Sequence, residues 1–452
     1  MTEMTPSELL QWAKSQGMEP PSPNGNGHQP GDNSFNSYPN DITRWPDPSA
    51  SEAFYGLAGD VVKAIAPHTE ADPVALLGTF LGYFGNAVGR SIHAVAEADR
   101  HGVNLFMVLV GETARGRKGS SAGHIHELFH RVDPEWTSNR IIGGLSSGEG
   151  LIWAVRDSIS KTEPIKEKGR HKGDYQTIEV DPGIHDKRLL VYESEFAGVL
   201  RVIARETNTL SALIRQAWDR GDLRTLTKNS PAKATGAHIS IIGHITKDEL
   251  LRYLDDMEAG NGFANRFLWL CVRRAQILPE GGGTPDYNSL VTVLHDTIEG
   301  ARRLERIGRD DETREEWARI YPELSEGKGG MYGAITARAE AQVLRLSALY
   351  AALDVSGFIR LPHLKAALAL WEYAQSSVRY IFGNATGDPI ADRILETLAH
   401  GELTRTGMNH IFQRNVSAER IDLALRLLHR TRRAVMERRE TNGRPVEVWN
   451  LL

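Results

Sequence analysis

The sequence predicts an α/β protein built on a parallel sheet, followed by a helical region and a small C-terminal unit. Three observations predict it. Short apolar runs (VNLFMVLVG at 103–111, LLVYE at 189–193, HISIIGHI at 238–245, FLWLCV at 267–272) recur along the middle of the chain. They read as strands buried on both faces, because a strand with one wet face would alternate polar and apolar. Segments of helical periodicity separate them, and strand–helix alternation is the pattern of a parallel sheet with right-handed crossovers. With 40% hydrophobic and 25% charged residues, the 452-residue chain has the composition of a folded globular protein of several domains.

The elements follow in order. Residues 5–16 (TPSELLQWAKSQ) form one short helix with Ser7 near its N-cap, and 18–40, rich in Pro, Gly, Asn and Ser, form a flexible linker that cannot bury enough apolar surface to offset its ordering. Residues 51–67 and 72–89 carry apolar residues at three- and four-residue steps, so two helices each bury one face, the second opening with the cap Asp72 and Pro73 at its first position. SIHAVAEA and VNLFMVLVG are strands parted by the turn-like DRHG. A helix (SAGHIHELFHRV), a strand–loop–helix (RIIGGLSSGEGLIWAVRDSI) and a charged stretch, 160–187, come next. A helical region at about 196–220 leads to the strand HISIIGHI, and the helix KDELLRYLDDME precedes a loop and the strand FLWLCV. From about 290 to 383 the pattern is almost wholly helical. The expected divisions are 1–40, a helical element 41–90, the α/β core 91–289, a helical region 290–385 and a final unit 386–452.

The segment GETARGRKGSS (Gly111–Ser121) holds the chemistry. A buried strand delivers a glycine-containing loop, and a helix follows, which is the setting of a phosphate-binding loop. Phosphate oxygens need backbone N–H groups at close range, and a helix N-terminus adds positive dipole character. Gly111, Gly116 and Gly119 provide the approach. Either Arg117 takes the usual lysine position, or the loop is one residue longer and Lys118 takes it; the second is preferred, with Ser120 or Ser121 as the magnesium hydroxyl.

The strand LLVYESE ends in Glu193 and Glu195. Carboxylates at the C-terminal end of a parallel strand stand where ligands bind such sheets, so Glu193 is assigned to magnesium and Glu195 to activating water. Alternation along a strand places the two on one face. His244, at the end of HISIIGHI, is a candidate sensor of the terminal phosphate. Arg266, in the Gly/Asn loop NGFANRF, is a candidate arginine finger toward a neighbouring subunit, against a structural ion pair as the plain alternative. Arg338 and Arg345 are weaker candidates for sensing nucleotide. Gly143–Gly150 (GGLSSGEG) is a candidate nucleic-acid or interface loop, with helix capping by Ser146 or Ser147 the preferred alternative.

The C-terminal unit contains three helical segments and then AVMERR and VEVWNLL around Thr441-Asn442-Gly443-Arg444. Asn-Gly between alternating segments is a hairpin signal. Three helices and a hairpin describe a winged helix, and Arg426, Arg430, Arg432, Arg433, Arg438, Arg439 and Arg444 give it the cations that DNA phosphates require.

Composition excludes other classes. A net charge of −5 confines any nucleic-acid binding to local basic patches, and the single Cys271 rules out an intramolecular disulfide framework and a cysteine-rich zinc site. One cysteine suits a reducing cytoplasm, where the protein is expected to be located. The N-terminus lacks the basic and apolar regions of a signal peptide, and no apolar run is long enough for a membrane span.

Together, NLFMVLVGETARGRKGSS, GLSSGEGLIWAVRD, LLVYESEFAGVL, NTLSALIRQAWDRGDL, ATGAHISIIGHIT and NGFANRFLW resemble a family of RecA-like P-loop proteins of phages, plasmids and integrated elements. Its members are fused to, or encoded beside, a primase–polymerase domain. The resemblance spans roughly 45–385 and leaves the winged helix as an addition. It implies a RecA-like P-loop NTPase core using ATP and Mg²⁺, acting on DNA as a helicase or replication motor, and assembling as a homo-oligomeric ring such as a hexamer with a primase–polymerase as partner. It places the phosphate loop at Gly111–Ser121, the acidic motif at Glu193 and Glu195, and the finger at Arg266. Two departures, Arg-Lys-Gly-Ser and Glu for Asp, leave open a non-catalytic nucleotide-binding factor that recruits DNA or partners through its winged helix.

Overall fold

The structure is a computed structural model and describes residues 45–111, 118–164, 175–205, 208–225, 233–254, 258, 260–383, 386, 388–413, 415–430, 433–440 and 445–452. All of them fall within one compact unit, Ile42–Leu452. The helix expected at 5–16 and the linker at 18–40 lie outside the described residues.

The apolar runs form a five-stranded sheet: β1 (Phe106–Gly111), β2 (Ile141–Ile142), β3 (Arg188–Glu193), β4 (His238–Thr246) and β5 (Leu268–Cys271). Their order is β5-β1-β4-β3-β2, and every pairing is parallel. Side chains alternate between two cores. Met107, Leu109, Leu190, Ile242, Leu268 and Leu270 enter one; Phe106, Val108, Leu189, Val191, Ile241 and Trp269 enter the other. Burial on both faces is the physical cause of the unbroken apolar runs.

The first face carries α1 (Pro73–Ala87) and α2 (Lys118–Val132); the second carries α3 (Gly148–Trp153), α4 (Phe196–Ile203), α5 (Leu210–Asp219) and α6 (Lys247–Tyr253). The chain thus leaves β1 toward the β2 edge over one face and returns over the other. In the helical region, α7 (Ala339–Leu353) is buried along its length, and α8 (Leu361–Phe382) runs beside the edge strand β5. There Cys271 N–H donates to Ser377 Oγ at 3.0 Å, and Tyr373 OH donates to the Cys271 carbonyl at 2.6 Å. These two bonds satisfy backbone groups that a bare sheet edge would leave open.

Two expectations are corrected. Asp99–Gly102 (DRHG) is not a turn but a strand, paired antiparallel with His93–Ala96 around Glu97, whose φ is 54°. Helix α1 buries every residue after Pro73, not one face. Asp72 caps it as expected, with Oδ1 accepting from Val74 N–H at 2.9 Å. Its glycines make the burial possible, because a Cβ at Gly85 would stand 2.3 Å from the Val103 carbonyl oxygen and one at Gly82 2.9 Å from Ile242 Cδ1. Within the charged stretch 160–187, for which the sequence predicts no element, Ile159–Pro164 pairs with Tyr175–Asp181 as an exposed antiparallel ribbon.

At the C-terminus, α9 (Pro389–Leu398), β6 (Leu403–Thr404), α10 (Arg405–Ile411), α11 (Ala418–Arg430), β7 (Ala434–Arg439) and β8 (Val446–Leu451) enclose a hydrophobic cluster of their own. The three strands are antiparallel in the order β6-β8-β7. The Asn-Gly turn itself, 441–444, lies outside the described residues.

Candidate functional site

Strand β1 is buried throughout and ends at Gly111; helix α2 is under way at Lys118. Gly116 and Arg117 lie outside the described residues, and of Lys118, Gly119 and Ser120 only the backbone, in the first turn of α2, is described. Ser121 is fully buried beneath that turn. The strand–loop–helix order expected around the loop is therefore present at both of its ends.

The acidic strand end stands two strands away. Register sets Glu193 level with Gly243, which is level with Val108, while Gly111 is level with Thr246. Glu193 is thus set back from the tip of β1 by three residues, or about 10 Å along the strand. Its side chain shares the parity of Leu189 and Val191, and so faces the layer of α3–α6, away from α2. It is only 9% exposed. Its Oε1 accepts from Leu145 N–H at 2.6 Å, in the loop after β2. Burial raises its carboxyl above the usual range, against the lowering pull of the Leu145 and Gly144 N–H groups. A charge there without those donors would be costly, and the sequence signal for them is the Gly143-Gly144 pair, which sequence reasoning weighed as a nucleic-acid or interface loop and not as a cradle for Glu193. The loop ends in Ser147, which caps α3 by accepting from Gly150 N–H at 3.0 Å, as expected. A cavity of about 110 Å³ over this loop, lined by Gly143, Ser146, Ser147 and Val191, is below the size of a nucleotide pocket.

Glu195 does not share a strand face with Glu193. Strand β3 stops at Glu193, and Ser194 and Glu195 form an exposed turn that leads into α4. His244, 3% exposed, belongs to the opposite face of the sheet, where its ring meets Tyr192 edge-on at 5.2 Å. The sheet therefore separates Glu193 from His244, because their positions on neighbouring strands differ by one residue in register.

Arg266 is not displayed on a loop. It is 5% exposed, and its guanidinium forms an ion pair with Asp219, with Nη2 2.7 Å from Oδ2 and Nε 3.3 Å from Oδ1. It also donates to the Gly262 carbonyl. It precedes β5, so it occupies the N-terminal edge of the sheet, opposite Gly111. Arg345, 1% exposed, stacks on Trp218 at 3.6 Å, and Arg338 lies 3.8 Å from Asp219 at the same edge. Sequence reasoning did not connect these arginines with the Trp218-Asp219 pair that gathers them, which closes helix α5 inside the motif NTLSALIRQAWDRGDL.

In the C-terminal unit the arginines divide. Arg426 and Arg430 are exposed on α11, with Leu423, one turn before Arg426, 54% exposed, and Arg438 is exposed on β7. Arg439 pairs with Glu402 at 2.8 Å and Glu437 at 3.2 Å, and Arg433 is half-buried near Asp392. Arg432 and Arg444 lie outside the described residues. The expected seven-arginine surface thus reduces, among the described residues, to Arg426, Arg430 and Arg438, because acidic neighbours engage the others.

No helix among the described residues is long and apolar enough to cross a membrane. No protein-family model matches the chain, and no curated protein matches it.

Proposed function

We propose that the chain is an ATP-dependent, DNA-acting motor with a RecA-like core, its nucleotide held at Gly111–Ser121 and its DNA contacted in part by a C-terminal winged helix. One observation carries the proposal: a buried central strand ends at Gly111, and helix α2 leaves it over one face while the remaining crossovers return over the other. Open α/β sheets bind ligands where such connections part, outside the carboxyl ends of the strands. Lys118 would meet the outer phosphates, Ser120 the Mg²⁺, and Glu195, exposed at the same end, the attacking water; Glu193, held by Leu145 N–H on the other face of the sheet, takes no part in the metal site. Arg266 takes no part, since Asp219 already holds it.

A second reading has its own support. Glu193 is engaged by the Leu145 N–H and shielded from α2 by the sheet, which favours a nucleotide-binding factor without hydrolysis. Steady-state ATP hydrolysis by the full chain, with and without single-stranded DNA, separates the two. DNA-stimulated turnover that falls in Lys118→Ala and Glu195→Gln supports the motor; nucleotide binding without turnover supports the second reading.

A further inference from the structure

The N-terminal edge of the sheet holds an imbalance of charge. Three guanidiniums surround the Trp218 ring, with Arg345 3.6 Å, Arg338 5.4 Å and Arg266 5.7 Å from its centroid. Among the described residues one carboxylate pairs with them, Asp219, 2.7 Å from Arg266 and 3.8 Å from Arg338. Arg345 is buried with neutral partners: it donates to the Asn104 carbonyl at 3.2 Å, Asn104 Oδ1 at 3.0 Å and the Trp218 carbonyl at 2.6 Å. Burial and then the neighbouring arginines push Arg345 down to about 9, against the raising pull of Asp219.

A second observation is independent of the charge count. Two donors at this place are buried without an acceptor among the described residues, Arg345 Nε–H and Trp218 Nε1–H. Native interiors rarely leave such donors open unless something else supplies the acceptor. One side of the cluster meets solvent, since the side chains of Arg338 and Asp219 are each 36% exposed and Arg220 beside them is 78% exposed, while Trp218, Arg266 and Arg345 lie buried beneath.

We propose that the Trp218–Arg266–Arg338–Arg345 cluster binds a phosphoryl oxyanion, at a site separate from the phosphate loop and on the opposite edge of the sheet. Arg266 already takes both oxygens of Asp219, so Arg338 brings N–H donors beyond what that carboxylate can accept, and Arg345 Nε–H and Trp218 Nε1–H stand open beside it; a phosphate, with more acceptor oxygens and higher charge than a carboxylate, matches that surplus. A free polyphosphate or the backbone phosphate of a nucleic-acid strand offers this chemistry. The inference does not depend on nucleotide binding at Gly111–Ser121.

The test uses the full chain carrying Lys118→Ala, so that the phosphate loop does not contribute. Inorganic pyrophosphate is titrated by calorimetry, and a labelled 20-nucleotide oligothymidylate by anisotropy, with and without Arg338→Ala. The expected result is saturable binding of at least one probe, weakened about tenfold by Arg338→Ala, the loss of one charge-assisted contact. Arg338→Gln replaces Arg338→Ala if the latter lowers the thermal midpoint. Binding of pyrophosphate assigns the site to free polyphosphate; Arg338-dependent binding of the oligonucleotide alone assigns it to a strand backbone. Absence of saturable binding for both probes, or affinities unchanged without Arg338, overturns the proposal.

Discussion

At the residue scale, two side chains carry separable expectations. Lys118 opens α2 directly after the loop, so Lys118→Ala removes a charge-assisted phosphate contact worth roughly 1.5–3 kcal/mol, or about ten- to a hundred-fold in ATP affinity. Equilibrium titration with a fluorescent ATP analogue checks this; affinity kept in Lys118→Ala and lost in Arg117→Ala would assign the position to Arg117. Glu193 gives a pH signature. Its carboxyl is raised by burial, so the folded state holds the proton more tightly than the unfolded chain. The contribution to stability is therefore complete below the unfolded value and lost as pH rises through the folded one. Glu193→Gln keeps the acceptor for Leu145 N–H without the charge, so its thermal midpoint should rise relative to wild type as pH goes from about 4 to 8. Parallel melting curves across that range would sink this account of the site.

At the element scale, α1 shows why a helix with only apolar and small residues occupies the middle of the molecule. Its glycines let it lie against β1 and β4 at a distance no side chain permits. Gly85→Ala drives a methyl into the Val103 carbonyl, which is backbone and cannot swing aside, so a loss of about 1–3 kcal/mol is expected in urea unfolding. Gly123 on α2 is the control. An added Cβ there meets nothing within 4 Å, so Gly123→Ala should stabilise by about 0.5–1 kcal/mol through helix propensity. Equal effects at the two positions would contradict the packing described here.

At the scale of the whole molecule, net charge is −5, so attraction to DNA depends on where cations face solvent. Arg426, Arg430 and Arg438 are exposed on α11 and β7 of the C-terminal unit, the surface that the proposed winged helix would turn toward DNA. Changing all three to Ala in the full chain should flatten the dependence of log affinity on log salt by about 2–3 for duplex DNA, close to one unit for each lost phosphate contact. Arg439, held by Glu402 and Glu437, should change the slope little. Anisotropy titrations at several salt concentrations distinguish the two sets.

The sheet strands, the caps at Asp72 and Ser147 and the order of the C-terminal elements were legible because each depends on a local pattern: apolar runs, a capping side chain beside its N–H, or the Asn-Gly pair between alternating segments. Strand DRHG was not, since its pairing with His93–Ala96 comes from a turn at Glu97, a residue type with no turn signal. The surroundings of the polar candidates were also decided by tertiary structure. Sequence placed Glu193 and His244 at strand ends, but strand register put the sheet between them. Sequence placed Arg266 in a polar loop, but the fold brought Asp219, at the end of α5, to it from 47 positions away. A local pattern determines how a segment buries its own apolar face. Which charge meets which depends on distances between segments, and those exist only once the sheet has ordered its strands.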